Sequence, residues 1–132
     1  MFSEKEIAYI KSQRLGRLAT VSSKMQPDVA PVGFEFDGEH FYIGGFIQTK
    51  TLKYKNVLGG NTKVSLVIDD LESINPWKPR GIKIVGVADI VERKGAFVSG
   101  PHLRIKPTRH TGWGLERSAE EDLERARKGT TT

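Results

Sequence analysis

Cysteine is absent from this sequence, which excludes a disulfide scaffold, an iron–sulfur cluster and a thiolate zinc site in one step. Long apolar runs are missing too. No segment approaches the length needed to span a membrane, and Met1 to Gln13 is charged throughout, unlike the core of a signal peptide. The expectation is a cytoplasmic protein with no membrane partner. His40, His102 and His110 stand apart with no HExxH-like spacing, so no metal site is predicted. His102 and His110 could converge, but solvated or core-satisfied rings are the simpler reading. No serine lies in a nucleophile-elbow context, and Gly44-Gly45 is neither a Walker nor a Rossmann loop. The Asp69-Asp70 pair with Glu72 reads as the turn at a strand end rather than a paired-carboxylate site. No catalytic residue is therefore assigned. Any enzymatic chemistry would have to come from a bound cofactor.

What is present describes one compact domain. A chain of 132 residues, 37% hydrophobic and 28% charged, can bury one real core but hardly two. The formal net charge of +5 favours anionic partners, and a nucleotide-like cofactor satisfies it as well as nucleic acid does. That excess has a local focus. The stretch from Gly44 to Asn56 closes the apolar strand His40–Ile43 on two glycines, then turns into a short helix for which Thr49 is the expected N-cap. Lys50, Lys53 and Lys55 crowd the positive end of that helix, with no acid nearby in sequence. Two readings stay open: a phosphate resting on backbone amides, the Thr51 hydroxyl and the lysines, or a solvated basic helix start.

The rest of the chain reads as a small barrel. Ser3-Glu4-Lys5-Glu6 has the spacing of a capping box for a helix running to about Gln13, with Ile7 and Ile10 on one face. Leu15–Ser22 and Asp28–Phe36 form a hairpin around Lys24-Met25-Gln26-Pro27. In the second of these strands Ala30, Val32, Phe34 and Phe36 share one face. Pro31 and Gly33 lie on the other, a face suited to a bulge or to close approach by another body. Asp37-Gly38 is a strong turn. Beyond the helix, Gly59-Gly60-Asn61 is a stop and Lys63–Asp69 a strand with Val64, Leu66 and Ile68 on one face. Leu71–Arg80 is expected to be a stiff loop carrying Trp77. Gly81–Val91 follows as a strand apolar on both faces, Pro101–Lys106 as a last strand and Pro107–Leu115 as a loop. Ser118–Lys128 is a charged helix trailing into a disordered tail. Three strands, a helix and three more strands, with early hairpins, argue for a small, mainly β, antiparallel barrel with flanking helices. The divisions are 1–14 for the first helix, 15–115 for the barrel and 116–132 for the last helix and tail. A strand covered on both faces calls for a partner subunit, so a homodimer is expected.

Several motifs in fixed order then carry a resemblance. The series LGRLATVS, QPDVAPVGFEFDGEHFYIGG, TKTLKYKNV, TKVSLVIDD, NPWKPRGIKIVGVA and RIKPTRHTGWGL resembles the pyridoxamine 5′-phosphate oxidase-like superfamily of flavin-binding split barrels. It is most similar to the branch that uses the deazaflavin coenzyme F420, through the Asp69-Asp70 strand end, the loop Pro76–Gly81 and the closing Arg104–Pro107 and Trp113–Leu115. The resemblance implies a cofactor phosphate held by Thr51 and Lys53. The family's intervening arginine is Leu52 here, which leaves one phosphate contact to be made good by Lys50 or Lys55. It further implies a tricyclic ring lying along the strand at Pro31, Val32 and Gly33, with Gly44 beside the cofactor, and Arg80, Gly81 and Trp113 reaching in from the other subunit. True pyridoxamine-phosphate oxidases close with an arginine-rich C-terminal motif for their substrate. This chain closes with a charged helix, so the vitamin substrate is not expected.

The reading that follows is a homodimeric split barrel binding F420, or FMN as the alternative, and transferring hydride to or from a small organic substrate. A non-catalytic flavin or deazaflavin carrier is a rival of another class. A nucleic-acid-binding barrel using Trp77 or Phe46 as stacking platforms is a third. No nucleic-acid partner is expected, because the motif series favours a cofactor.

Overall fold

The structure is a computed structural model and describes residues 1–116 and 119–129. In chain order it contains α1 (Glu4–Ser12), β1 (Leu15–Val21), β2 (Pro27–Gly33), β3 (Glu35–Phe36), β4 (Phe41–Ile43), a 3₁₀ turn (Gln48–Lys50), α2 (Leu52–Leu58), β5 (Lys63–Ser73), β6 (Lys78–Lys94), β7 (Ser99–Trp113) and α3 (Ala119–Arg127). Ser118 and the tail at 130–132 lie outside the described residues. All seven strands belong to one antiparallel sheet in the order β2-β1-β5-β6-β7-β4-β3. Its two edge strands, β2 and β3, are joined by the single residue Phe34. Edges so tethered must lie side by side, so the sheet curls into a barrel that is split where β2 leaves β1 and β3 takes up pairing with β4.

Alternation explains the core. Leu18 on β1, Val32 on β2, Val64, Leu66 and Ile68 on β5, and Ile82 and Ile84 on β6 point inward and are buried, as the two-residue period of a strand requires. Phe41 and Ile43 of β4 and Leu103 and Ile105 of β7 complete the filling. Helix α1 begins on the anticipated capping box: Glu6 N–H donates to Ser3 Oγ at 3.1 Å and Ser3 N–H to Glu6 Oε1 at 2.9 Å. Its buried face is Glu6, Tyr9 and Ile10 rather than Ile7 with Ile10, because Tyr9 and Glu6 reach polar partners on the barrel.

Three sequence expectations need correction. The strand expected over Asp28–Phe36 is two strands, since Phe34 carries the change of partner. The expected loop Leu71–Arg80 is mostly hairpin: β5 and β6 stay paired from Asp70↔Arg80 out to Ser73↔Lys78, leaving 74–77 as the turn. The expected loop Pro107–Leu115 is strand as far as Trp113. There the register shifts so that Val85 faces Arg109 and Gly86 faces Pro107. The extra residue, Thr108, is a bulge whose hydroxyl donates to Val85 O at 3.0 Å. A bulge is where a strand tolerates a proline that cannot donate to the ladder.

One polar cluster ties α1 to the barrel. Asp70 accepts Arg80 Nε at 2.8 Å, Arg80 Nη2 at 3.1 Å and the Tyr9 hydroxyl at 2.8 Å, while the guanidinium lies 5.2 Å from the Tyr9 ring centre. Arg80 hydrogen bonding holds the Asp70 carboxyl below the usual carboxylate range, against a smaller opposing effect of burial. Burial, then Asp70, pushes the Tyr9 hydroxyl up. A depressed carboxyl contributes stability that is fully present above its unfolded value, about 4, and is lost as pH falls through the folded value. Urea melts should therefore weaken below about pH 4. Asp70→Asn should be less stable near neutrality and show a shallower acid slope, whereas an unchanged slope would assign the acid transition to other carboxylates.

Candidate cofactor site

The polypeptide leaves β4 through Gly44-Gly45-Phe46-Ile47 and returns to the barrel at Gln48, a buried residue whose side-chain amide donates to Ile43 O at 2.7 Å. This anchor creates the 3₁₀ turn and delays the helix. The N-cap of α2 is consequently Thr51, not the expected Thr49, which sits exposed within the turn. Thr51 Oγ1 accepts Tyr54 N–H at 3.3 Å and donates to Gln48 O at 2.7 Å. Asn56 Nδ2 donates to Thr20 Oγ1 at 2.9 Å in a buried contact, fixing the helix on β1.

Lys50, Lys53 and Lys55 have no ion pair among the described residues. Lys53 is partly buried, and that burial pulls its ammonium below the usual lysine value, with Asp28 of β2 offsetting some of the effect. A cation partly desolvated beside a helix start, with no direct counter-ion among the described residues, leaves room for an anion to pair with it. Leu52 is exposed between Thr51 and Lys53 and contributes no charge. This donor set fits the phosphate of a flavin or deazaflavin.

On the edge strand β2, Pro31 and Gly33 face outward while the Val32 side chain points into the core, so Val32 can offer a ligand only its backbone. A Cβ on Gly33 would meet nothing nearer than Arg14 O at 4.0 Å. Gly44 is different: a Cβ there would stand 2.6 Å from His102 Nε2 and 2.8 Å from Val98 Cγ1. Gly33 and Gly44 meet at a cleft of about 670 Å³ beside the split, whose lining includes Phe34, Gly45, Phe46 and His102. His102 Nδ1 lies 2.9 Å from Gly100 O, a carbonyl that can only accept, so Nδ1 carries a proton. Its Nε2 is buried without a partner.

Arg80, Gly81 and Trp113 form a second group, where β6 begins and β7 ends, with Trp113 directly opposite Gly81 in the ladder. They are not brought to α2, which rests on β1 at Thr20 with Lys53 beside Asp28. The two remaining histidine readings also resolve. His102 and His110 are eight positions apart on β7, on the order of 26 Å along a strand, and His110 Nε2 lies 3.2 Å from Glu6 Oε1. The Asp69-Asp70 pair is mid-strand and structural, bonded to Arg17 and Arg80 respectively. Sequence periodicity gave no signal for His102, whose phase on β7 is opposite to that of the core residues Leu103 and Ile105. It is buried by the loops carrying Gly44 and Gly95 rather than by the barrel interior.

Among the described residues no three His, Cys, Asp or Glu side chains cluster as a metal site, and no helix is long and apolar enough to cross a membrane.

Comparison with known proteins agrees with this architecture. A curated relative, the 5a,11a-dehydrotetracycline/5a,11a-dehydrooxytetracycline reductase of Streptomyces rimosus, is 36% identical over 122 residues, covering 87% of this chain and 84% of its own. Among solved structures, a conserved hypothetical protein of Mycobacterium tuberculosis superposes with a TM-score of 0.68 at 24% identity, over 86% of this chain and 85% of that one. A protein described as an F420 reductase gives 0.67 at 23% identity, over 83% and 98%. The family model described as pyridoxamine 5′-phosphate oxidase matches residues 2–125, and with a split barrel of this topology the chain belongs to that family.

Proposed function

We propose that this protein is an F420-dependent oxidoreductase that transfers hydride between the deazaflavin and a small organic substrate. The observation that carries the reading is the 36% identity, over most of both chains, to a protein named as a reductase. The unpaired lysines at the start of α2 support it, because they offer a phosphate what the fold itself does not supply. In this reading Lys53 and Lys50 bind the phosphate through charge, and the Thr51 hydroxyl and the α2 amides orient it. The backbone of Pro31, Val32 and Gly33 seats the ring edge, and Gly44 leaves the space that a side chain would fill. A bound flavin or deazaflavin supplies the hydride chemistry at its ring. The protein holds, orients and shields it.

The site is completed by a second copy of the chain. Val29, Leu15 and Val87 leave apolar side chains exposed on the outer sheet face, and Arg80, Gly81 and Trp113 lie apart from α2 within one subunit. A homodimer brings the second group of one subunit to the first group of the other. Sedimentation at micromolar concentration should give a dimer, and a stable monomer would remove Arg80, Gly81 and Trp113 from the site.

FMN is the alternative cofactor on the same frame. F420 carries an anionic glutamate tail that FMN lacks, so its affinity should be the higher of the two and should fall more steeply with salt. Paired fluorescence titrations at low and moderate ionic strength test this. Tighter FMN binding, or equal salt slopes, would move the protein to the flavin branch.

A further inference from the structure

His102 lines the cofactor cleft with one buried ring atom, Nε2, unpaired. Nδ1 is engaged by Gly100 O at 2.9 Å, so an added proton has only Nε2 to go to. In front of that atom lies the space of a missing side chain. A Cβ on Gly95 would stand 2.8 Å from His102 Nε2 and 2.8 Å from Glu35 Oε2, so the two atoms are separated by at most twice that distance, across a gap that glycine keeps clear. A carboxylate and an imidazole nitrogen facing each other in this way form a contact that charging the ring switches on.

The carboxylate already has another task. Glu35 Oε1 accepts Arg93 Nη2 at 3.4 Å, and both carboxylate oxygens accept Ala96 N–H at 3.3 Å. These bonds are long and therefore weak, whereas a bond to an imidazolium is charge-assisted and short. Ala96 belongs to the turn 95–98 that joins β6 to β7 and is closed by Gly95 N–H donating to Val98 O at 3.0 Å. The same turn carries Phe97, 86% exposed, at the rim of the cleft. The other charged groups around His102 are spoken for or repel a new cation. Arg93 is stacked 3.8 Å from the centre of the Tyr42 ring, the Tyr42 hydroxyl donates to Asp37 Oδ2 at 3.0 Å, and Arg104, two residues along β7, is held by Asp89 at 2.6 Å. Lys11 and Arg14, at the end of α1, line the same cleft. Glu35 is thus the acid left to answer a charged His102. We infer that Glu35, Gly95 and His102 form a proton-operated latch on the Phe97 turn. With His102 neutral, Glu35 ties the turn to β3 beside the cleft; a proton taken from solvent onto Nε2 draws Glu35 across the gap, releases Ala96 N–H and loosens the turn. That the cleft holds the cofactor ring rests on the oxidoreductase reading; the latch does not.

Amide and imidazole NMR spectra of the protein without cofactor, recorded from about pH 8 to pH 5, follow both halves of the latch. The Ala96 and Phe97 amide resonances should move with the same midpoint as the His102 ring, and the Ala96 amide should lose protection against solvent exchange below it. Glu35→Gln keeps an acceptor for Ala96 N–H but has no charge to offer an imidazolium, so its His102 ring should titrate while both amides stay still. His102→Asn, with no titrating ring, should leave them still as well. On the cofactor-loaded protein, acidification should weaken FMN binding by about fivefold more in the parent than in Glu35→Gln, the loss expected when one aromatic contact is released. That comparison removes the titration of the FMN phosphate itself. Phe97→Ala should abolish the excess. A His102 ring that does not titrate in this range, amides that ignore its midpoint, or amides that move equally in Glu35→Gln would overturn the latch. Equal losses of FMN affinity in parent and Glu35→Gln would overturn its control of the cleft. Coupled amide shifts in a protein that takes up neither FMN nor F420 would support the latch and sink the oxidoreductase reading.

Discussion

Gly81→Ala should lower the melting temperature by about 10 °C or more. The added Cβ would lie 2.5 Å from Trp113 Cζ2, 2.8 Å from Asp69 Cβ and 2.8 Å from Ile68 O. None of the three can yield cheaply. Ile68 O belongs to the β5 backbone, Asp69 is tied to Arg17, and Trp113 is fixed opposite Gly81 by β-ladder pairing. Overpacking of this kind costs about 1–3 kcal/mol and sometimes more, and contacts on both flanking strands argue for the upper end. Gly33→Ala is the matched contrast, since its Cβ would find no neighbour inside 4.0 Å. That variant should fold as well as the parent and lose cofactor affinity if a ring lies on β2. Thermal melts of the two, with tryptophan fluorescence to follow Trp113, decide the matter. Equal stability would mean that β6 and β7 slide apart at little cost.

Lys53→Ala should weaken cofactor binding by roughly one to two decades, the loss expected when a charge-assisted bond of about 1.5–3 kcal/mol to phosphate is removed. The same variant should be no less stable without cofactor. Burial pulls the Lys53 ammonium below its ordinary value, so the fold disfavours the charged form. A lysine whose folded value is depressed costs stability at pH values below it, and deleting it removes that cost. The combination is diagnostic: a residue that merely held α2 in place would lose affinity and stability together. Unchanged affinity for both F420 and FMN would put the anion elsewhere and remove this helix start from the site.

Much of the barrel was legible because its strands obey strict alternation. Val64, Leu66 and Ile68 were readable as one inward face, and so were Ile82 and Ile84, because those segments meet the core with every second residue. The capping box at Ser3 and the Asp37-Gly38 turn were readable because their chemistry is local. Asp37 Oδ1 accepts from the backbone of Glu39 and His40 at 2.9 and 2.7 Å, with Gly38 at a φ of 101°. What escaped the sequence depends on distant partners. Pro107 stays in a strand only because Thr108 bulges against Val85. The helix cap moves from Thr49 to Thr51 because buried Gln48 bonds Ile43. Phe34 breaks a continuous strand because two different neighbours claim its halves. The candidate site shows the same division. Pro31, Gly33 and the lysine cluster stood out by residue type, whereas the cleft of Lys11, Phe97 and His102 is assembled from segments far apart in the chain.

Turnover of reduced F420 is the most direct measurement of the central claim. The protein at catalytic concentration, supplied with reduced F420 and a panel of α,β-unsaturated ketones, should return the absorbance and fluorescence of oxidised F420 over many equivalents per chain with at least one acceptor. Under the same conditions Lys53→Ala should need a higher F420 concentration to reach half its rate. Stoichiometric uptake of F420 with no oxidation beyond the uncatalysed rate, for every acceptor, would contradict the account and leave a cofactor carrier in its place.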